Sequence, residues 1–405
     1  MTAALGTRYG ANYVPSSNWF YSWLDFSADA VRRDFDDLAS IGLDHVRVFP
    51  MWPWIQPNRG HIRTKPIRDL LTVIDIAAER GLDVAVDLLQ GHMSSFDFLP
   101  SWVLTHHHRS IFEDPDVRDG IASYMSTLSR AVADKPNVFA ITLGNEVNNL
   151  VPFYSATPEA TRDWASGLLN VVAEAAPDVL HLYSVYDASW YTPGHPFDPA
   201  DSTDLGSLTT VHSWVFSGAA AIDGPLGPAT VSHADYLIEL AAATATDPAR
   251  PIWLQEVGAP QPHVPATDAG EFTTQTLAHI DSNPALWGVT WWCSHDLDRR
   301  LLDFPEHEYD LGLFTLDHQP KPAARALERF IAQQRRPVTD RPAIVCPIDP
   351  RTQPERRDEI APGSMFHDDW VRQRQQGPVA IVPPGERADT AYLAARGIDR
   401  VVIPR

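Results

Sequence analysis

The chain has 405 residues, 44% of them hydrophobic and 21% charged, enough to build a sizeable core in one large domain or two to three smaller ones. Its 52 acidic residues against 32 basic ones leave a formal net charge of −20, which argues against a nucleic-acid partner, because phosphate backbones need clustered Lys and Arg. Two cysteines, Cys293 and Cys346, make no disulfide framework, the start MTAALGTRYGANYV lacks a basic segment followed by an apolar one, and no apolar run reaches membrane length, so the expectation is a cytoplasmic protein with no membrane partner.

Strand-like and helix-like segments alternate along the chain. YGANY (9–13) reads as a first strand and DAVRRDFDDLASIG (29–42) as an amphipathic helix closing at Gly42. HVRVFP (45–50) is a second strand, followed by a helix over 66–80 that Gly81 ends. DVAVDLLQGH (83–92) is the third strand, and 115–134 a helix with proline in its first turn. VFAITLGNE (138–146) is the fourth strand, with a helix over 158–175 behind it. LHLYSVY (180–186), LTTVHSWV (208–215), PIWLQEVG (251–258) and LWGVTWWCS (286–294) supply four more. The fifth unit is irregular: the prolines and glycines of 187–207 forbid a long helix, and a loop of that length suggests a substrate-shaping role.

Eight strands with near-continuous apolar runs, separated mostly by helices, specify a parallel sheet covered on its outside. A doubly wound open sheet satisfies that pattern too. The count of eight and the polar strand ends favour closure into a (β/α)8 TIM barrel, whose strand C-termini form the active face. Those ends carry Asn12, Arg47, His92, Asn145, Glu146, His212, Glu256 and Trp292. After a helix around 321–335 comes a proline-rich boundary. The segments AIVCPI, FHDDWVRQRQQ, VAIVPP, ADTAYLAARG and RVVIPR then read as a small three-stranded α/β unit. The expected division is a barrel over 1–337 and an appendage over 338–405 packed on it.

Glu146 ends a strand that is otherwise apolar, and an unpaired buried carboxylate is costly. Barrel closure brings the ends of strands four and seven, hence Glu146 and Glu256, across one mouth. Two carboxylates in a cleft are what glycoside hydrolysis needs, one protonated to serve the leaving oxygen and one ionised. A separation of about 5–5.5 Å would mean retention, and about 6.5–9.5 Å inversion. Arg47 is placed to hydrogen-bond Glu256 and keep it anionic. Asn145 is expected to donate to a sugar hydroxyl, His92 and His212 to bind hydroxyls or orient the carboxylates, and Trp292 to form a sugar platform. The pKa of Glu146 is expected to rise through burial and through the charge of Glu256. Thirteen Trp in the chain favour a carbohydrate site further.

The Asn-Glu closing strand four, the Gln-Glu closing strand seven, the Arg of HVRVFP, the His of VHSW and the Trp of GVTWW resemble clan A glycoside hydrolases of family 5, over about 9–335. The stretches NYVPSSNWFYSWLDF, RVFPMWPWIQPNRG, LQGHMSSFDFLPSW and WWCSHDLDR look like the subfamily 18 β-mannosidases. That resemblance implies a retaining exo-enzyme taking mannose from Man-β-1,4-GlcNAc, with Glu146 as acid/base and Glu256 as nucleophile. Trp214 departs from the family, which commonly has Tyr there to hydrogen-bond the nucleophile; Tyr186 is the candidate substitute. Trp52, Trp54, Phe96, His295 and Asp296 are candidates for a wall beyond the terminal sugar. An endo-mannanase or other β-glycanase of the same fold, and a non-catalytic carbohydrate-binding barrel, remain alternatives. Neither the triple histidine of THHHRS (105–110) nor Cys293 makes a metal or nucleophile site by spacing, and no phosphate loop occurs. No cofactor or metal is expected, and the oligomeric state is open.

Overall fold

The structure, a computed structural model, describes residues 7–106, 109–150, 155–333 and 338–402. His107 and His108 of the triple-histidine stretch, and the last residues before the expected boundary at 337, lie outside the described residues. Eight strands form one parallel sheet: β1 (Arg8–Asn12), β2 (His45–Val48), β3 (Asp83–Leu89), β4 (Val138–Gly144), β5 (Leu180–Leu182), β6 (Thr209–Ser213), β7 (Ile252–Val257) and β8 (Leu286–Trp291). They pair in the order β5-β4-β3-β2-β1-β8-β7-β6. The remaining seam, between β5 and β6, carries no regular ladder. Thr210 Oγ1 donates to Tyr183 O at 2.8 Å across it, and Ser207 N donates to His181 O at 2.8 Å. The result is a nearly closed (β/α)8 barrel.

The strands are buried on both faces, as expected for a barrel whose interior is filled by side chains. His45 is one such filler, held between Asp44 and Thr290 at 2.7 Å each. A Cβ on Gly10 would stand 2.4 Å from that ring, so β1 passes it only as glycine. Outside run α1 (Ala28–Ser40), α2 (Thr64–Glu79), α3 (Pro115–Val132), α4 (Pro158–Ala175), α5 (Pro228–Thr244), α6 (Ala269–Asp281) and α7 (Pro322–Ile331). Ser27, Asp114 and Thr157 accept backbone N–H groups in the first turns of α1, α3 and α4. Such caps satisfy donors that helix geometry leaves open.

Three segments differ from the sequence reading. The third strand stops at Leu89, and His92 instead opens a short hairpin, His92–Met93 against Phe96–Asp97. The fifth strand has only three residues. The segment 187–207 forms two short helices, Ala188–Tyr191 and Pro199–Asp204, and contributes no residue to the lining of the cleft at the barrel mouth. Asp198 and Asp204 there pair with Arg357 and Arg351, each at 2.7 Å. These pairs join the loop to the C-terminal part, while Asp187 at its start lies beside Trp214 and Glu146.

That part holds β9 (Arg341–Val345), β10 (Ala380–Val382) and β11 (Ile398–Val402), a parallel sheet in the order β10-β9-β11, with α8 (Met365–Arg374) and α9 (Thr390–Ala395). It covers α5, whose residues are buried all round. A helix without a polar face needs such a cover.

Candidate active site

The site is built where β4 ends. Asn145 N donates to Leu89 O at 3.2 Å, and a Cβ on Gly144 would lie 2.5 Å from that same carbonyl. The chain then turns sharply: Glu146 has φ +44° and leads into the short turn Val147–Leu150. The left-handed region costs a non-glycine residue about 1–2 kcal/mol. Such strain is characteristic of functional sites, and here it aims the Glu146 carboxylate across the barrel mouth.

Arg47, fully buried at the end of β2, organises the floor. Its Nη1 donates to Glu256 Oε1 at 2.7 Å and to Asn12 Oδ1 at 3.1 Å. Its Nη2 donates to Asn145 Oδ1 at 2.8 Å and to Asp87, and its Nε to Asp87 Oδ2 at 3.0 Å. Every N–H of the guanidinium is thus used. Asn12 is a floor residue whose Nδ2 donates to Gln255 O at 3.0 Å.

Two carboxylates face each other over this floor. Glu256 receives Arg47 on Oε1 and the indole N–H of Trp214 on Oε2 at 3.2 Å. Glu146 Oε1 lies 2.7 Å from His212 Nδ1, and its Oε2 accepts from Asn149 Nδ2 at 3.0 Å. One oxygen of each carboxylate and a ring nitrogen of His212 all lie within 4.8 Å of one another.

Burial raises the pKa of Glu146 to about 7, against the opposing charges of His92 and Arg47, and the charge of Asp87 adds to the rise. The sequence reading assigned that added charge to Glu256. Burial and the charge of Glu146 also raise Glu256, while the Arg47 guanidinium pulls it down. Two N–H donors aimed at Glu256 make it the anion of the pair. Burial lowers the pKa of His212 and keeps the ring neutral. Its Nε2 faces Gln255 Oε1 at 3.1 Å and Ser184 Oγ at 3.0 Å. Its Nδ1 lies 2.7 Å from Glu146 Oε1 and 3.3 Å from Glu256 Oε2, so the ring stands between the two carboxylates.

The cleft above measures about 330 Å³. His92, Asn145, Glu146, Tyr186, Trp214, Glu256 and Trp292 all line it, as do Ser94, Ser95, Asn149, Phe216, His307 and Glu308. A larger hollow of about 460 Å³ among α5, α6 and α8 has no carboxylate in its lining.

The hydrogen bonds bear on several expected roles. Asn145 spends its oxygen on Arg47 and one N–H on His92 O at 3.2 Å. His212 is fully buried and orients the carboxylates. Trp214 itself supplies the hydrogen bond that Tyr186 was expected to give, because the Tyr186 hydroxyl pairs with Ser217.

The five residues assigned to the outer wall stand outside the cleft lining. Trp52 is fully buried, its indole N–H on Gln56 Oε1 at 2.8 Å, and Trp54 packs on Tyr21 and Phe98. Phe96 packs against Phe20 and Phe304. His295 bonds Asp37 on α1 at 3.1 Å, and Asp296 bonds Lys321 at 2.5 Å. Trp52 and His295 are buried, and Trp54, Phe96 and Asp296 are half-buried. Ser94 and Ser95 of the hairpin turn, with His307 and Glu308, are mouth-loop residues in the lining.

Asp87, Ser94, Ser95, Asn149, Phe216, His307 and Glu308 were not singled out from sequence. Asp87 carried a signal, since a charge inside the apolar run VAVDLL calls for a buried partner.

No family model and no curated protein matches the chain. Solved structures do. A glycoside hydrolase family 5 subfamily 18 protein from Streptomyces cattleya, in complex with GlcNAc, is 49% identical, with 99% of each chain covered and a TM-score of 0.96. A Glu-to-Ala variant of the subfamily 18 protein from Bifidobacterium longum subsp. longum ATCC 55813, in complex with Manβ1-4GlcNAc, is 38% identical over 98% of this chain and 96% of that one, with a TM-score of 0.94. The exo-β-1,4-mannosidase Op5Man5 from Opitutaceae bacterium strain TAV5, 22% identical over 98% of this chain and 72% of that one, shares the fold with a TM-score of 0.81. With near-half identity over its whole length, and with Asn145–Glu146 and Gln255–Glu256 facing each other across the barrel mouth, the chain belongs to subfamily 18 of glycoside hydrolase family 5.

Proposed function

We propose that the protein is a retaining exo-β-mannosidase that releases mannose from Man-β-1,4-GlcNAc. The observation that carries the chemistry is the unequal carboxylate pair: Glu146 with its pKa near 7 and Glu256 under two N–H donors. Glu256 attacks the anomeric carbon while Glu146 gives its proton to the departing glycosidic oxygen, leaving a mannosyl ester on Glu256. Glu146 then takes a proton from water, which attacks the same carbon and frees the sugar with its configuration kept. The short reach between the carboxylates supports retention, since inversion needs room for a water between them. Trp292 serves as the floor beneath the reacting sugar.

The substrate reading is supported by the relatives of Streptomyces cattleya and Bifidobacterium longum, whose structures hold Manβ1-4GlcNAc. The small cleft volume supports exo over endo action. Two free, buried cysteines fit the expected cytoplasmic setting, and no helix among the described residues is long and apolar enough to cross a membrane. The test is product analysis. Release of mannose and GlcNAc from the disaccharide, with β-mannan left intact, is expected. Internal cuts in mannan would make the enzyme an endo-mannanase, and binding without turnover a lectin-like barrel.

A further inference from the structure

Glu308 is a third carboxylate in the cleft, and the double displacement gives it no task. It closes the short turn Glu306–Glu308 in the loop after β8, with its side chain 14% exposed. Its neighbours are the Ser94 side chain and the His307 ring at 3.7 Å. Among the described residues no Lys or Arg pairs with it. Burial and the charges of Glu256 and Glu146 push its pKa up to about 7, against Ser94 and His92. A carboxylate has about four acceptor positions, so most of those on Glu308 await donors.

The surroundings say which donors. Ser94 Oγ accepts the indole N–H of Trp19 at 3.1 Å, and the Trp19 ring meets Trp292 edge-on at 6.3 Å. Ser94 and Ser95 both hold positive φ, +48° and +67°, so this turn is kept strained on the cleft side. Glu308 thus stands on the Trp19–Trp292 side of the cleft. Asn149, which donates to Glu146 Oε2 at 3.0 Å, lines the same cleft. A sugar seated on Trp292 therefore shares its cleft with Glu308 as well as with Glu146 and Glu256.

We infer that Glu308 determines specificity by accepting hydrogen bonds from the hydroxyls of the terminal sugar farthest from the scissile bond, the 4-OH foremost. This rests on the mannosidase reading and deepens it. In a β-1,4 chain the 4-OH is where a further residue is attached. A carboxylate bonded to the free 4-OH leaves no place for that residue, which gives exo action a physical cause.

The experiment compares the wild type with Glu308→Ala and Glu308→Gln on an aryl β-mannoside, its 4-deoxy analogue and Man-β-1,4-GlcNAc. Thermal melts establish folding, and the isosteric Gln variant carries the test if Ala does not fold. In the wild type, removing the 4-OH is expected to lower kcat/KM by about 100-fold, because the site's acceptor is left unpaired. In Glu308→Ala that penalty should shrink to about 3-fold or less, and in Glu308→Gln, which keeps a neutral acceptor in place of a charged one, to about 10-fold, with equal losses on the aryl glycoside and the disaccharide. A full deoxy penalty in the variants, or a loss confined to the disaccharide, would overturn the assignment. A wild type that cleaves no β-mannoside would sink the mannosidase reading instead. Glu308 is then judged by the same deoxy comparison on whichever aryl glycoside is cleaved.

Discussion

Glu146 is the residue on which pH dependence turns. Its pKa of about 7 means that kcat/KM on the disaccharide should fall tenfold per unit as pH rises beyond about 7, because the acid form is lost. An aryl mannoside with a good leaving group needs less protonation and should keep more of its rate there; identical profiles on both substrates would count against the role. The same shift has a cost in stability. A carboxyl whose folded pKa lies above its unfolded value binds its proton more tightly when folded, so stability declines as pH rises from about 4.5 to about 7. The shift corresponds to on the order of 3 kcal/mol. Glu146→Gln should therefore raise Tm at pH 8, with a smaller gain at pH 5, while abolishing turnover of the disaccharide. Trp214→Phe keeps the ring and deletes the N–H on Glu256, so kcat is expected to drop about 10-fold or more with KM little changed. The glutamates were legible in the sequence because each closes an apolar strand. Glu308 was not, since between His307 and Tyr309 it reads as ordinary polar loop. Trp52 and His295 misled because an aromatic or imidazole in a mouth loop looks alike in sequence whether it faces the cleft or the core.

At the scale of elements, α5 shows how the barrel and the C-terminal sheet depend on each other. Glu239, in the middle of this buried helix, receives Arg396 Nη2 at 2.8 Å, the Arg341 guanidinium and the Ile381 amide at 3.1 Å. Burial raises its pKa, but the two guanidinium groups outweigh that and hold it below the usual carboxylate value. Glu239→Ala leaves two buried cations unpaired, which should cost about 3–5 kcal/mol. Denaturant melts check this, and kcat of the protein that remains folded should be unchanged. Acid should also weaken this junction, because a lowered carboxyl pKa contributes stability that is lost as pH falls through it. The strands were legible because buried parallel strands are near-continuous apolar runs. The fifth unit was legible only as irregular: its prolines showed that no long helix forms there, but the partners of Asp198 and Asp204 lie some 150 residues further along the chain.

For the whole molecule, the eight strand ends act as one device. Arg47 ties β2 to Asp87 on β3, to Asn145 after β4 and to Glu256 on β7, and His212 on β6 joins both carboxylates. Closure brings residues 110 positions apart in sequence (256 − 146) into one cleft. The count of strands and the residues at their ends made that convergence legible. The identity of the wall was not, because it depends on how mouth loops fold over one another. The most direct test of the double displacement is to trap its intermediate. The enzyme is incubated with 2-deoxy-2-fluoro-β-mannosyl fluoride, digested and mapped by mass spectrometry. A fluoromannosyl ester on the peptide containing Glu256, and no ester on Glu146, is the expected result. An ester on another residue, or turnover of β-mannosides to the α-anomer with no ester formed, would contradict it.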